Sequence, residues 1–223
     1  MSNTGVNTEE AWAKEAMDKE ASELSTLYVN VISFLKDNGQ DFMSKQTWKG
    51  GLTKENIVKN ASKFKKGRDH RLPSMPATVP DEAVKQVLKS YYKILDKDLD
   101  EAILHHMKSM GAENAIGDLL ERYLASNLEP KGWTWCSGSC VKAVDFIKKT
   151  EKGWRALQVK NRDNSENSSS SAIREGTSLN IDKWHRSFSR TGGTNWEDFP
   201  DLSTKGEISE KGFQDFINDY LKK

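Results

Sequence analysis

The hydrophobic period of this chain changes at Pro130, and that change limits the folds open to it. Up to Asn127 apolar residues recur every three or four positions, as along one face of a helix. Beyond Pro130 they alternate with polar residues, as along a half-buried strand. Neither an all-helical bundle nor a sandwich of strands accommodates both halves, so the pattern predicts a mixed α/β domain with a helical N-terminal lobe. The expected division is a mainly helical region over 1–110 and a core over 111–223, integrated as one structural unit. With 223 residues the chain is long enough for one ordinary domain with such a lobe.

The helical half reads as follows. Ala11, Met17, Leu24, Leu27, Tyr28, Val31 and Leu35 predict one helix from Thr8 to about Leu35, closed by Asn38-Gly39. A short basic helix starts near Thr53 and ends near Lys66. Pro73, Pro76 and Pro80 make 71–80 an extended connector. Val84, Val87, Leu88, Tyr91, Tyr92 and Leu95 line the next helix. Two more follow, Leu99–Met110 and Ala112–Asn127, with a break at Gly111. After Pro130, strands are expected at Gly132–Cys136, Val141–Ile147 and Trp154–Lys160, the last two forming a hairpin across Glu151-Lys152-Gly153. Asn161–Ser171 reads as a loop, Ile173–Phe188 as a helix and Phe213–Leu221 as a closing helix.

Composition narrows the class. No apolar run approaches the roughly 20 residues that cross a bilayer, and Met1–Glu10 is polar rather than a charged-then-apolar leader. Cys136 and Cys140 are too few for a disulfide framework, which suits a reducing compartment. Together these features predict a cytoplasmic protein that does not enter a membrane. The two cysteines lack a second pair, which makes a zinc site a poor reading and leaves Cys140 as a small buried residue. Seven Trp residues require a real core. The formal net charge of +1 hides a distribution. Residues 1–50 carry five Lys against eight acids (−3). Residues 51–71 carry seven Lys/Arg against two (+5), and residues 131–200 carry twelve against eight (+4). Such patches fit either a polyanion held at one face or a clustered solvated surface.

One constellation carries chemistry. Asp145 ends an apolar run on the first hairpin strand, and Leu157-Gln158-Val159-Lys160 ends the second. Strand alternation sends Gln158 and Lys160 to one face, so Asp145 is expected to meet both at the sheet edge. Glu121, on the preceding helix, is placed to reach the same spot. A hard cation takes carboxylate, carbonyl and water oxygens, and a lysine beside it stabilises charge developing on a phosphate. The same spacing also describes a surface Asp145–Lys160 salt bridge on a hairpin. Asn161, Arg162, Asp163, Asn164, Ser165, Asn167 and Ser168 follow at once. Their side chains suit base edges and phosphates, or a linker. Arg174, Lys183 and Arg186 add basic groups beyond.

The segments Lys142–Ile147, Leu157–Ser168 and Ala172–Thr177 resemble type II restriction endonucleases of the SinI/AvaII kind, in the PD-(D/E)XK nuclease group. The resemblance covers about Gly111–Phe199. It implies a restriction-endonuclease-like core, a mixed sheet flanked by helices. It implies Mg²⁺ as cofactor and a metal-activated water attacking the scissile phosphate. By it Asp145 is the metal-binding aspartate, Lys160 the catalytic lysine, and Glu121 the helix glutamate ahead of the core. Gln158 stands where the group more often has an acid, leaving Val159 through its carbonyl, Gln158 and Glu121 as further ligands to the cation. Asn161–Ser168, Arg174, Lys183 and Arg186 would contact DNA. The substrate implied is double-stranded DNA at a short palindrome of GG(A/T)CC type, cut by a homodimer, with a DNA methyltransferase as functional partner. A structure- or damage-directed nuclease and a non-catalytic DNA-binding protein on the same fold are the alternatives.

Overall fold

Two helices of the N-terminal lobe start where a threonine takes an otherwise orphan amide. In the computed structural model, which describes residues 8–163 and 179–222, Thr8 accepts from the Ala11 N–H ahead of α1 (Glu9–Ala21). Thr53 does the same for Asn56 ahead of α3 (Lys54–Arg68). The single helix expected over Thr8–Leu35 is two, α1 and α2 (Ser25–Asn38). The chain turns extended at Ala21 (φ −167°, ψ 93°), and the Ser25 hydroxyl donates to Asp18 across the break. Gly39 ends α2 at φ 83°, a backbone angle that costs glycine nothing.

The described residues form two units: those up to His70 with those from Leu120 onward, and Arg71–Leu119. The second contains the extended 71–80 stretch and α4 (Glu82–Ser90), capped by Asp81 through the Ala83 N–H at 2.8 Å. It also contains the start of α5 (Leu99–Leu128). The break expected at Gly111 does not occur, because this glycine serves close approach rather than helix termination. A Cβ there would sit 2.7 Å from the Ser74 carbonyl oxygen.

In the first unit, four strands among the described residues form one sheet in the order β1-β2-β3-β4. They are β1 (Trp133–Trp135), β2 (Phe146–Thr150), β3 (Gly153–Arg162) and β4 (Ile181–Ser187). The β1/β2 and β2/β3 pairs are antiparallel and β3/β4 is parallel, so the sheet is mixed, as the resemblance implied. Two expectations are corrected. The first hairpin strand begins at Phe146, not Val141, because 136–145 leaves the sheet through a 3-10 turn at Ser137–Ser139. The helix expected over Ile173–Phe188 is, in its described part, the strand β4. Its buried residues Ile181, Trp184 and Ser187 fall three apart and imitate a helical stripe. A strand covered on both faces loses its alternation.

Alternation sends Thr134, Ile147, Ala156, Gln158 and Ile181 to one face of the sheet. Trp133, Trp135, Phe146, Leu157 and Trp184 go to the other. Helices α1–α3 cover the first face: Met17, Tyr28, Val31, Ile32, Leu35, Ile57 and Phe64 share one core with Ile147, Ala156 and Ile181. On the second face Trp184 lies 5.1 Å from Trp196 and 5.0 Å from Phe199, ring centre to ring centre. Tyr123 of α5 packs on Trp196 and on Phe213 of α6 (Glu210–Leu221).

Candidate active site

Asp145 lies one residue before β2, and its side chain completes the ladder that its position would otherwise end. Its N–H donates to the Leu157 carbonyl (3.0 Å), and its carbonyl accepts from the Cys136 N–H (2.8 Å). Its carboxylate Oδ2 takes the Val159 N–H at 2.7 Å. Continuing the β2/β3 register puts it opposite Gln158. The half-buried carboxyl is pushed up to about 6 by burial, against the Val159 N–H and the positive charge of Lys160, which both lower it.

Gln158 is buried, 3% exposed, and donates through Nε2 to the Ala143 carbonyl (3.3 Å). Ala143 has φ 62°, a left-handed conformation that costs a residue with a Cβ about 1–2 kcal/mol. The glutamine thus holds a strained turn two residues ahead of Asp145. Its amide nitrogen is engaged as a donor there, so the ligand chemistry of this side chain belongs to its oxygen. Lys160 follows on the same face, beside His185 across the parallel β3/β4 pair.

Glu121, on α5, accepts from Trp135 Nε1 through its Oε2 at 2.8 Å, and Trp135 stands on the face of the sheet opposite Gln158. Burial pushes the Cys136 thiol well above its ordinary value, and the charges of Asp145 and Glu121 push it further. The charges of both carboxylates thus act on one buried sulfur. Behind them Arg68 bonds the Trp135 carbonyl (2.9 Å) and Glu129 (2.7 Å). Arg122, also buried, bonds the Gly67 and Arg68 carbonyls and lies over the Trp135 ring. These contacts tie the end of α3 to β1 and α5.

Among the described residues, no three His, Cys, Asp or Glu side chains converge as a metal-binding group. The donors present are nonetheless those a hard cation accepts when it keeps waters and takes substrate phosphate oxygens: the carboxylates of Asp145 and Glu121, the Val159 carbonyl and the Gln158 amide oxygen. The elevated Asp145 carboxyl bears on the fit, because a desolvated carboxylate gains from a positive charge beside it.

The whole chain from residue 9 to residue 223 matches the family model of the SinI restriction endonuclease. The chain belongs to the SinI restriction endonuclease family. It is 45% identical to the type II restriction enzyme Eco47I of Escherichia coli and 45% identical to the type II restriction enzyme SinI of Salmonella infantis. Each match covers 98% of this chain and 96% of the relative.

In this SinI-family chain the residues expected to touch DNA divide into three groups. Arg162 and Lys183 are exposed at the end of the sheet that carries Lys160, Lys183 standing opposite Gln158. Asn161, Asp163 and Arg186 hold the local structure together. Arg186 donates to both Glu210 oxygens (2.7 and 2.8 Å) and to Asn161 Oδ1 (2.9 Å), and lies over Phe213. Asp163 accepts from the Ser189 N–H. Asn164, Ser165, Asn167, Ser168 and Arg174 lie outside the described residues. Pattern reading missed the supports: the Trp135–Glu121 bond, the Gln158–Ala143 bond and the arginine pair, each set by contacts that no local spacing encodes. It also missed a cleft of about 1080 Å³ lined by Lys45, Trp48, Lys49 and Lys142. The Lys142 N–H donates to the Phe42 carbonyl, and Trp48 Nε1 donates to the Cys140 carbonyl, which docks that cleft on the chain leading to Asp145.

Proposed function

We propose that this chain, a type II restriction endonuclease, cuts double-stranded DNA at the site built from Asp145, Gln158, Val159, Lys160 and Glu121, with Mg²⁺ as its cofactor. The observation that carries the assignment is the junction of β2 and β3, where the Asp145 carboxylate takes the Val159 N–H next to Lys160. When bound, a divalent cation polarises a phosphate and lowers the pKa of water.

The protein's own groups supply the rest. Asp145 and Glu121 bring negative charge to one side of the reacting phosphate. The Gln158 oxygen and the Val159 carbonyl add neutral oxygen donors. The Lys160 ammonium donates hydrogen bonds to the non-bridging phosphate oxygens as negative charge builds on them, and orients the attacking water for in-line displacement. Arg162 and Lys183, with Lys45, Lys49 and Lys142 of the cleft, suit the flanking phosphates. The base edges would be read by the segment Asn164–Arg174. The target we propose is a short palindrome of GG(A/T)CC type, cut by two copies related by a two-fold axis, with a DNA methyltransferase protecting host DNA.

The test is digestion of unmethylated phage DNA with Mg²⁺ or with EDTA, beside Lys160→Ala, followed by sequencing of the fragment ends. Discrete Mg²⁺-dependent fragments with one shared end sequence are expected. Lys160→Ala should cleave roughly 10²–10³-fold more slowly, the usual loss for one preorganised charge-stabilising donor, while still binding DNA in Ca²⁺. Full cleavage by Lys160→Ala would remove the lysine from the mechanism. Fragments without a common end sequence would remove the palindrome.

A further inference from the structure

A folded unit of this length ordinarily hides its large apolar side chains, and Arg71–Leu119 does not. In that unit only Gly111 and Leu119 are buried. Ten of its large hydrophobic residues stand exposed, from 38% at Met110 and 40% at Leu104 to 76% at Tyr91 and 90% at Val79. Among the described residues, the rest of the chain adds three more, Val58, Leu202 and Leu221. Val84, Val87 and Tyr91 recur at helical spacing along α4 and its C-cap, so the exposed residues there form a stripe rather than a scatter. Tyr91 and Tyr92 extend it, edge to face at 5.0 Å.

We propose that this surface of Arg71–Leu119 is where two copies of the chain meet. The inference rests on the reading of the protein as an endonuclease acting on a palindrome, which calls for a two-fold partner, and it assigns that partner's seat. Area supports it: with full areas of about 150–250 Å² for large aromatic side chains and somewhat less for aliphatic ones, the ten exposures amount to roughly 1,000 Å² per copy. A standard interface buries about 800 Å² per partner. Charge supports it too. The unit holds six Lys/Arg (Arg71, Lys85, Lys89, Lys93, Lys97, Lys108) against eight acids (Asp81, Glu82, Asp96, Asp98, Asp100, Glu101, Glu113, Asp118), a balance of −2. That balance gives no net attraction to DNA or to an anionic membrane surface. A two-fold contact uses the same patch on both partners, which one self-complementary apolar stripe provides.

The experiment is sedimentation velocity of the full chain over a concentration series, beside Val87→Glu and Tyr91→Glu. Both residues are more than half exposed in the single chain, so the substitutions leave the folded protomer intact, which circular dichroism and thermal melting check. The wild type is expected at twice 25.2 kDa, about 50 kDa, and each variant at 25.2 kDa. Association should weaken by at least about 30-fold, as for loss of an interface hot spot. Double-strand cleavage by the variants should fall and recover at high enzyme concentration. A wild type that stays monomeric while cutting both strands would overturn the proposal, as would variants that dimerise like the wild type. Absence of any cleavage would count against the endonuclease reading alone, because sedimentation decides the surface without it.

Discussion

Gln158 shows how one side chain can be both departure and support. An amide in place of an acid removes a charge from the site, yet its N–H₂ holds the carbonyl of a left-handed Ala143 just ahead of Asp145. Replacing it with an isosteric apolar residue leaves that carbonyl without its donor in a buried setting. Gln158→Leu is therefore expected to lower stability by about 1–3 kcal/mol in urea unfolding. It should also slow cleavage more than that loss accounts for, because Asp145 is then less firmly placed. Cleavage at the wild-type rate by the folded fraction would show that the turn positions nothing. Cys140 reads differently. Burial pushes its thiol up to about 12, which makes it the inert packing residue that its isolation in the sequence suggested.

At the scale of elements, the site depends on backbone touching backbone. α3 meets the 3-10 turn at Ser137–Ser139 so closely that a Cβ on Gly138 would fall 2.2 Å from the Lys63 carbonyl oxygen. A Cβ on Gly67 would fall 2.3 Å from the Gly138 nitrogen. Gly138 is also left-handed, at φ 70°. Gly138→Ala must then move α3 or the turn, and the turn leads to Asp145. Its expected cost is at least ~2–3 kcal/mol, from an αL penalty together with the clash. Thermal melting measures it, and a change below about 0.5 kcal/mol would mean that the contact yields freely. Cleavage should drop even in samples that remain folded, because the turn and Asp145 share one short segment.

At the scale of the whole molecule, the second face of the sheet is held by a buried acid that sets how the protein meets low pH. Burial alone raises the Asp201 carboxyl. Hydrogen bonds from Trp133 Nε1 (2.6 Å) and from Ser203, with Lys148 at 3.4 Å, outweigh it and hold the group well below the usual aspartate range. A folded-state pKa below the unfolded one stabilises the fold at every pH above the unfolded value, and that stability is lost as pH falls toward the folded one. The decline should therefore begin below about pH 4, the ordinary aspartate value. In Asp201→Asn, denaturation curves taken between pH 6 and pH 2 should start from lower stability and slope less. An unchanged slope would place the acid sensitivity elsewhere. No helix among the described residues is long and apolar enough to cross a membrane.

Local pattern determined much of this protein by itself. The change of period at Pro130, the hairpin across Glu151–Gly153 and the adjacency of Asp145 to Gln158 and Lys160 all follow from spacing, because helix and strand periods and a short turn act over a few residues. The family was legible in the stretch from Lys142 to Thr177. What spacing misread was decided at longer range. Ile181–Ser187 became a strand because β3 offered it a parallel partner. Gly111 lies inside α5, where the close approach of Ser74 leaves no room for a Cβ. The chain ahead of Asp145 leaves the sheet in the Ser137–Ser139 turn, against which α3 packs backbone to backbone. The contacts of Glu121 with Trp135 and of Arg122 with the end of α3 join residues 14 and 55 positions apart. Only the packed chain brings such residues together, since burial and hydrogen bonding between distant segments, not local propensity, set their positions.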